Sequence, residues 1–154
     1  MSARTLYRVA AGTFVLFAAG HTFGFLRFRP PTAEAEAVRQ AMANVHFQAG
    51  GATFTYGGFY LGFGLYVSLY LLFSAFLAWH LGNVAHAAPR AVGKLGWIFC
   101  AVQAASLILD VNYFSIAPVV LTVLVTACLA AAALRVTPAP RGLAAAPAGQ
   151  LPRA

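Results

Sequence analysis

Six side chains in this sequence have the types and spacing to hold a ligand or do chemistry: His21, Tyr56, Tyr60, Gln103, Ser106 and Asp110. His21 stands in Gly20-His-Thr-Phe-Gly24, inside an apolar stretch from Val9 to Leu26. An ionisable side chain in such a stretch is costly unless it turns toward other protein groups and finds a partner. Gln103, Ser106 and Asp110 fall at i, i+3 and i+7, which puts them on one helix face within about 60°. That face is expected to turn inward, and a carboxylate on it is a functional hypothesis by default. Tyr56 and Tyr60, four residues apart, share a stripe and carry phenol groups.

Two uses of these residues are open. In the first, His21, Tyr56, Tyr60, Ser106 and Asp110 lie in the outer half of one bundle and line a pocket that takes a small apolar ligand or a partner. In the second, His21 and Asp110 serve a membrane enzyme or redox component as an acid and base pair or as cofactor contacts. Beside both stands a purely structural reading, with Asp110 at the water boundary and His21 satisfying a backbone carbonyl or a tyrosine. Of the two uses, ligand binding is the expectation, and no catalytic residue is assigned.

Other chemistries have little support. Cys100 and Cys128 sit in apolar runs without a C-x-x-C and are expected to be inert buried thiols. His21 and His46 both lie toward the outer side, but no C-x-x-C-H is present, and His80 and His86 fall on different helix faces. No metal or cofactor is expected. The serines lack a G-x-S-x-G context, and only three carboxylates are present in the whole chain.

The elements that must position these residues are membrane spans. The run Tyr56 to Leu81 has no Asp, Glu, Lys or Arg. About 20 apolar residues rising about 1.5 Å each cross a hydrocarbon core of about 30 Å. With 61% hydrophobic and 8% charged residues, the 154-residue chain falls far outside the composition of a soluble domain, where about 25% are charged. The formal net charge of +7 comes from arginines scattered at helix ends and one lysine, Lys94, so topology and lipid head groups explain it and nucleic acid is not an expected partner.

The expectation is an all-α fold: an antiparallel bundle of four transmembrane helices near 7–27, 57–82, 94–113 and 117–135, forming one domain over 1–136. Arg4 and Arg8 ahead of Ala18-Ala19-Gly20 also fit a signal peptide, but apolar residues continue through Leu26 to Arg27 and Arg29, which favours a retained helix. Arg29-Pro-Pro ends the first helix, and a short surface helix is expected near 32–45 with Glu34 and Glu36 in its first turn. Residues 47–55 lead back to the membrane, and 137–154, rich in Pro, Ala and Gly, reads as a disordered tail.

Gly20 with Gly24, and Gly58 with Gly62, form two small-xxx-small pairs expected to bring the backbones of spans one and two together. Gly20-His-Thr-Phe-Gly24 and Phe59-Tyr-Leu-Gly-Phe-Gly-Leu65 together resemble a group of small uncharacterised four-span bacterial membrane proteins, and the chain is DoxX-like in size and span count only. The resemblance implies a four-helix integral membrane protein and carries no activity or catalytic residue. Arg4, Arg8, Arg90, Lys94, Arg135, Arg141 and Arg153 fall on one side of such a bundle, against Arg27, Arg29 and Arg39 on the other. The positive-inside rule then puts both termini in the cytoplasm of a multi-pass inner-membrane protein, with the lipid bilayer as its constant partner.

Overall fold

The computed structural model describes residues 1–136, and the 137–154 segment read as a disordered tail lies outside the described residues. Five helices and a two-stranded hairpin follow in order: α1 (Ala3–Arg27), α2 (Ala33–Asn44), β1 (His46–Ala49), β2 (Ala52–Thr55), α3 (Tyr56–Ala87), α4 (Pro89–Tyr113) and α5 (Ile116–Val136). Helices α1, α3, α4 and α5 are each long and apolar enough to cross a membrane, so this is a multi-pass membrane protein.

Local chemistry sets the ends of these elements. Ser2 caps α1 by accepting from the Thr5 amide, so the basic start of the chain is helical and its Leu6 and Tyr7 are buried. Thr32 caps α2 and Thr55 caps α3 in the same way. Helix α3 continues to Ala87, past the expected end near 82, because Leu81, Gly82 and Ala85 remain buried, with Gly82 against Arg4 and Tyr7 of α1. Its 32 residues rise about 48 Å, well beyond a hydrocarbon core of about 30 Å. In α4, Gly93 takes φ 48° and ψ −134°, a conformation open to glycine, and breaks the helix one residue before Lys94.

The hairpin is an addition to the all-helical expectation. His46 pairs with Thr55 and Ala49 with Ala52, joined through Gly50 and Gly51, both at positive φ. A two-residue turn with two positive φ values matches the twist of the flanking strands, and Gly-Gly meets it without steric cost. Phe47 packs on Phe54, Tyr56 and Phe59, which ties the hairpin to the start of α3.

Size, more than polarity, distinguishes inside from outside. The core is rich in small residues such as Ala10, Ala18, Ala78 and Ala132, with Tyr7, Phe14, Leu81 and Leu129 as its large members. Phe23, Phe63, Tyr66, Phe73, Phe76 and Leu134 point outward, and only 28–33% of each apolar span is buried. In lipid no hydrophobic gain comes from hiding a large side chain, so helices meet where residues are small and show aromatic groups to the acyl chains. The start of α1 lies against the end of α3, through Arg8 and Asn83 (3.4 Å), and the end of α1 lies against the start of α3, through Phe25 and Tyr60.

Candidate functional site

His21 is half-buried on the side of α1 that meets α3, and its Nε2 lies 3.1 Å from the carbonyl oxygen of Gly64. An imidazole N–H donating to that carbonyl sets the tautomer with hydrogen on Nε2. The ring also stacks on Phe25, with centroids 5.6 Å apart, and Phe25 in turn meets Tyr60 at 5.3 Å. At the next residue, Thr22 Oγ1 lies 2.7 Å from both Ala18 O and Ser68 Oγ, and Ser68 Oγ lies 3.4 Å from the same Gly64 carbonyl. These groups form one small polar seam between α1 and α3, in which His21 Nε2 and the Thr22 and Ser68 hydroxyls all have protein partners, as a low-dielectric setting requires.

A cavity of about 1000 Å³ opens beside this seam. Gly20, His21 and Gly24 of α1 form one wall, Val38 and Met42 of α2 a second, and Gly58 and Tyr60 of α3 a third, with Phe114 from the α4–α5 turn at the edge. The lining is mostly apolar with a few polar groups, the usual character of a small-molecule site, and the volume is at the upper end of the about 300–1,000 Å³ such sites span.

The structure brings together only part of the expected set. His21 and Tyr60 line the cavity. Tyr56 packs on Phe47 instead and is half exposed. The Gln103, Ser106 and Asp110 face does turn toward protein, with Gln103 buried and Ser106 and Asp110 half-buried, but its partners lie elsewhere. Gln103 Nε2 donates to the Tyr70 hydroxyl at 2.5 Å, Ser106 Oγ lies 3.4 Å from the same hydroxyl, and Asp110 accepts from Thr122 at 2.5 Å. His21 makes no hydrogen bond to Tyr56, Tyr60, Ser106 or Asp110; its partner is Gly64 O, the backbone-carbonyl contact of the structural reading, and no His21–Asp110 ion pair forms among the described residues. These side chains satisfy their needs on three separate helix pairs.

The glycine expectation also needs correction. A Cβ built on Gly20, Gly24 or Gly62 would meet nothing within 4 Å, and one on Gly58 would meet only its own cap, Thr55 Oγ1. The contact between α1 and α3 passes through other glycines: Gly64, where a Cβ would overlap the Phe25 ring, and Gly82, where it would lie 3.3 Å from Tyr7 Cβ. Gly20, Gly24 and Gly58 instead line the cavity, where a side chain would stand in its space. A glycine pair at i and i+4 permits close approach on either of two uses, a helix contact or a cavity wall, and the spacing alone does not distinguish them.

Several residues at the site were not among the expected set. Phe25 and Gly64 act through shape and a backbone carbonyl, while Thr22 and Ser68 are visible only as polar residues in apolar spans. Arg39 reaches the site from α2, where its Nε and Nη2 donate to the Glu36 carboxylate at 2.8 and 2.5 Å. These bonds from Arg39, joined by one from Gln40, hold the Glu36 carboxyl down to about 2. Among the described residues no three of His, Cys, Asp and Glu converge on one point. Comparisons with protein-family models, curated proteins and solved structures return no match, so the site is read from its own geometry.

Proposed function

We propose that this protein is an antiparallel four-span bundle of the inner membrane, with both termini cytoplasmic, that binds a small apolar ligand in the cavity beside His21. In this reading α2 and the hairpin lie outside the bilayer and cover the outer-leaflet end of the cavity. The observation that carries it is the cavity itself: about 1000 Å³, apolar for the most part, with an oriented histidine on its wall and glycines at four lining positions. Few polar groups in a large apolar chamber suit selection by shape, with His21 Nδ1, which has no hydrogen bond among the described residues, available as an acceptor at the wall. The alternative, chemistry by His21 and Asp110 together, has no contact between the two residues to support it.

The test is to fill the chamber. Gly24→Leu places a side chain where a Cβ has no neighbour, so it should fit without moving the backbone. Purified wild-type protein in a nonionic detergent is expected to bind an apolar fluorescent dye saturably. Gly24→Leu is expected to weaken that binding about tenfold or more, about 1.4 kcal/mol, with the thermal midpoint held or raised, since the helix gains propensity when glycine is replaced. Equal binding by both proteins would remove the cavity from consideration as the site.

A further inference from the structure

A second cavity, of about 830 Å³, adjoins the first and differs from it in character. Arg27, Arg29, Arg39 and Glu36 line it, and Leu26, Phe28, Pro30 and Arg39 are walls of both cavities. Three guanidinium groups thus face one carboxylate. Glu36 is committed to Arg39, the one ion pair among the described residues. Arg27 and Arg29 are exposed, and neither hydrogen-bonds to a carboxylate; the Arg27 guanidinium lies 4.7 Å from the centre of the Phe23 ring.

From this adjacency we infer that the ligand is a single-chain amphiphile with an anionic head, its chain in the apolar cavity and its head against Arg27 and Arg29. The inference rests on the proposed function, since it uses the same apolar chamber for the chain. Charge complementarity selects the head: Arg29 lies within the field of Glu36 but makes no hydrogen bond to it, so the N–H donors of Arg27 and Arg29 are open to carboxylate or phosphate oxygens, which a neutral head would not supply. Position adds a second argument. In the proposed topology these arginines lie on the outer side, which the positive-inside rule depletes of basic residues, so topology alone does not account for a cluster there. The walls shared by the two cavities place the charged and apolar environments next to each other, as the head and chain of one amphiphile require.

The experiment uses the full chain in an uncharged detergent with two probes, a fluorescent long-chain fatty acid and its methyl ester. The two share one chain and differ in head charge. Wild-type protein is expected to bind the acid about tenfold tighter than the ester, a difference of about 1.4 kcal/mol. Arg27→Gln with Arg29→Gln should bring the acid down to the affinity of the ester while leaving the ester where it was, and Arg29→Lys should retain part of the preference. Inorganic phosphate at the same concentration as the acid should not displace it; displacement by phosphate alone would make this an anion site without an amphiphile and overturn the inference. Equal affinity for acid and ester in the wild type, or an unchanged ratio in the double variant, would overturn the head assignment and leave the apolar cavity standing. Binding of neither probe would remove both. Arg29→Gln alone, at an exposed residue, serves if the double variant does not fold, and it too must lower the ratio.

Discussion

At the scale of single residues, the site turns on Gly64. Its carbonyl accepts from His21, and its missing side chain makes room for the Phe25 ring that stacks on the imidazole. Gly62, two residues earlier in the same helix, has open space where a Cβ would stand. The two glycines therefore predict opposite responses to alanine. Gly62→Ala adds helix propensity with nothing to strike, so stability should hold or rise by up to about 1 kcal/mol. Gly64→Ala must push the Phe25 ring aside, an overpacking cost of about 1–3 kcal/mol set against the same propensity gain, for a net loss of about 1 kcal/mol. Thermal unfolding in detergent separates them. If Gly62→Ala were the costlier change, the Gly58 and Gly62 face would regain its place as the helix contact.

At the scale of elements, α2 has a charge arrangement with a pH signature. Glu36 is bonded by Arg39 and Gln40, which lowers its carboxyl from 4.5 to about 2. The folded value lies below the unfolded one, so the deprotonated form is the one the helix favours; its contribution is complete above about pH 4.5 and is lost as pH falls toward 2. The pair is exposed, so salt should weaken it. A carbon-detected NMR titration of the Glu36 carboxyl is expected to show a midpoint near 2 that rises in Arg39→Gln; a midpoint near 4.5 in the unaltered chain would mean that the pair does not persist in solution. The spans themselves were legible in advance because length and hydrophobicity are local properties: Tyr56 to Leu81 needs no partner to declare that it crosses a membrane. The hairpin was not, although Gly50-Gly51 is a two-residue turn signal, because the four-residue strands on each side are too short to show a clear alternation. His21 was legible as an ionisable group among apolar ones, and its partner was not, since any residue can supply a backbone carbonyl. The inward turn of Gln103 was readable from spacing, while its bond to Tyr70 depended on how α3 and α4 are rotated against each other, which no local pattern records.

At the scale of the whole molecule, the question is which end of the bundle faces which compartment. Arg4 and Arg8 at the start of α1 lie beside Gly82 and Asn83 near the end of α3, and Arg90 and Lys94 follow directly in α4. Arg135 closes α5. Among the described residues, five basic side chains thus lie at this end and three, Arg27, Arg29 and Arg39, at the other, where Glu34 and Glu36 offset two of them. In the proposed topology the richer end is the cytoplasmic one, because basic residues near the spans resist translocation and acidic ones count for little. A cytoplasmic reporter fused after Arg135 is therefore expected to be active and a periplasmic one inactive there. The same two reporters inserted at the Gly50-Gly51 turn should give the reverse. An active periplasmic reporter after Arg135 would invert the bundle. The arginine-lined cavity would then face the cytoplasm, where basic residues are common beside spans, and the argument that its cations stand out by position would go with it.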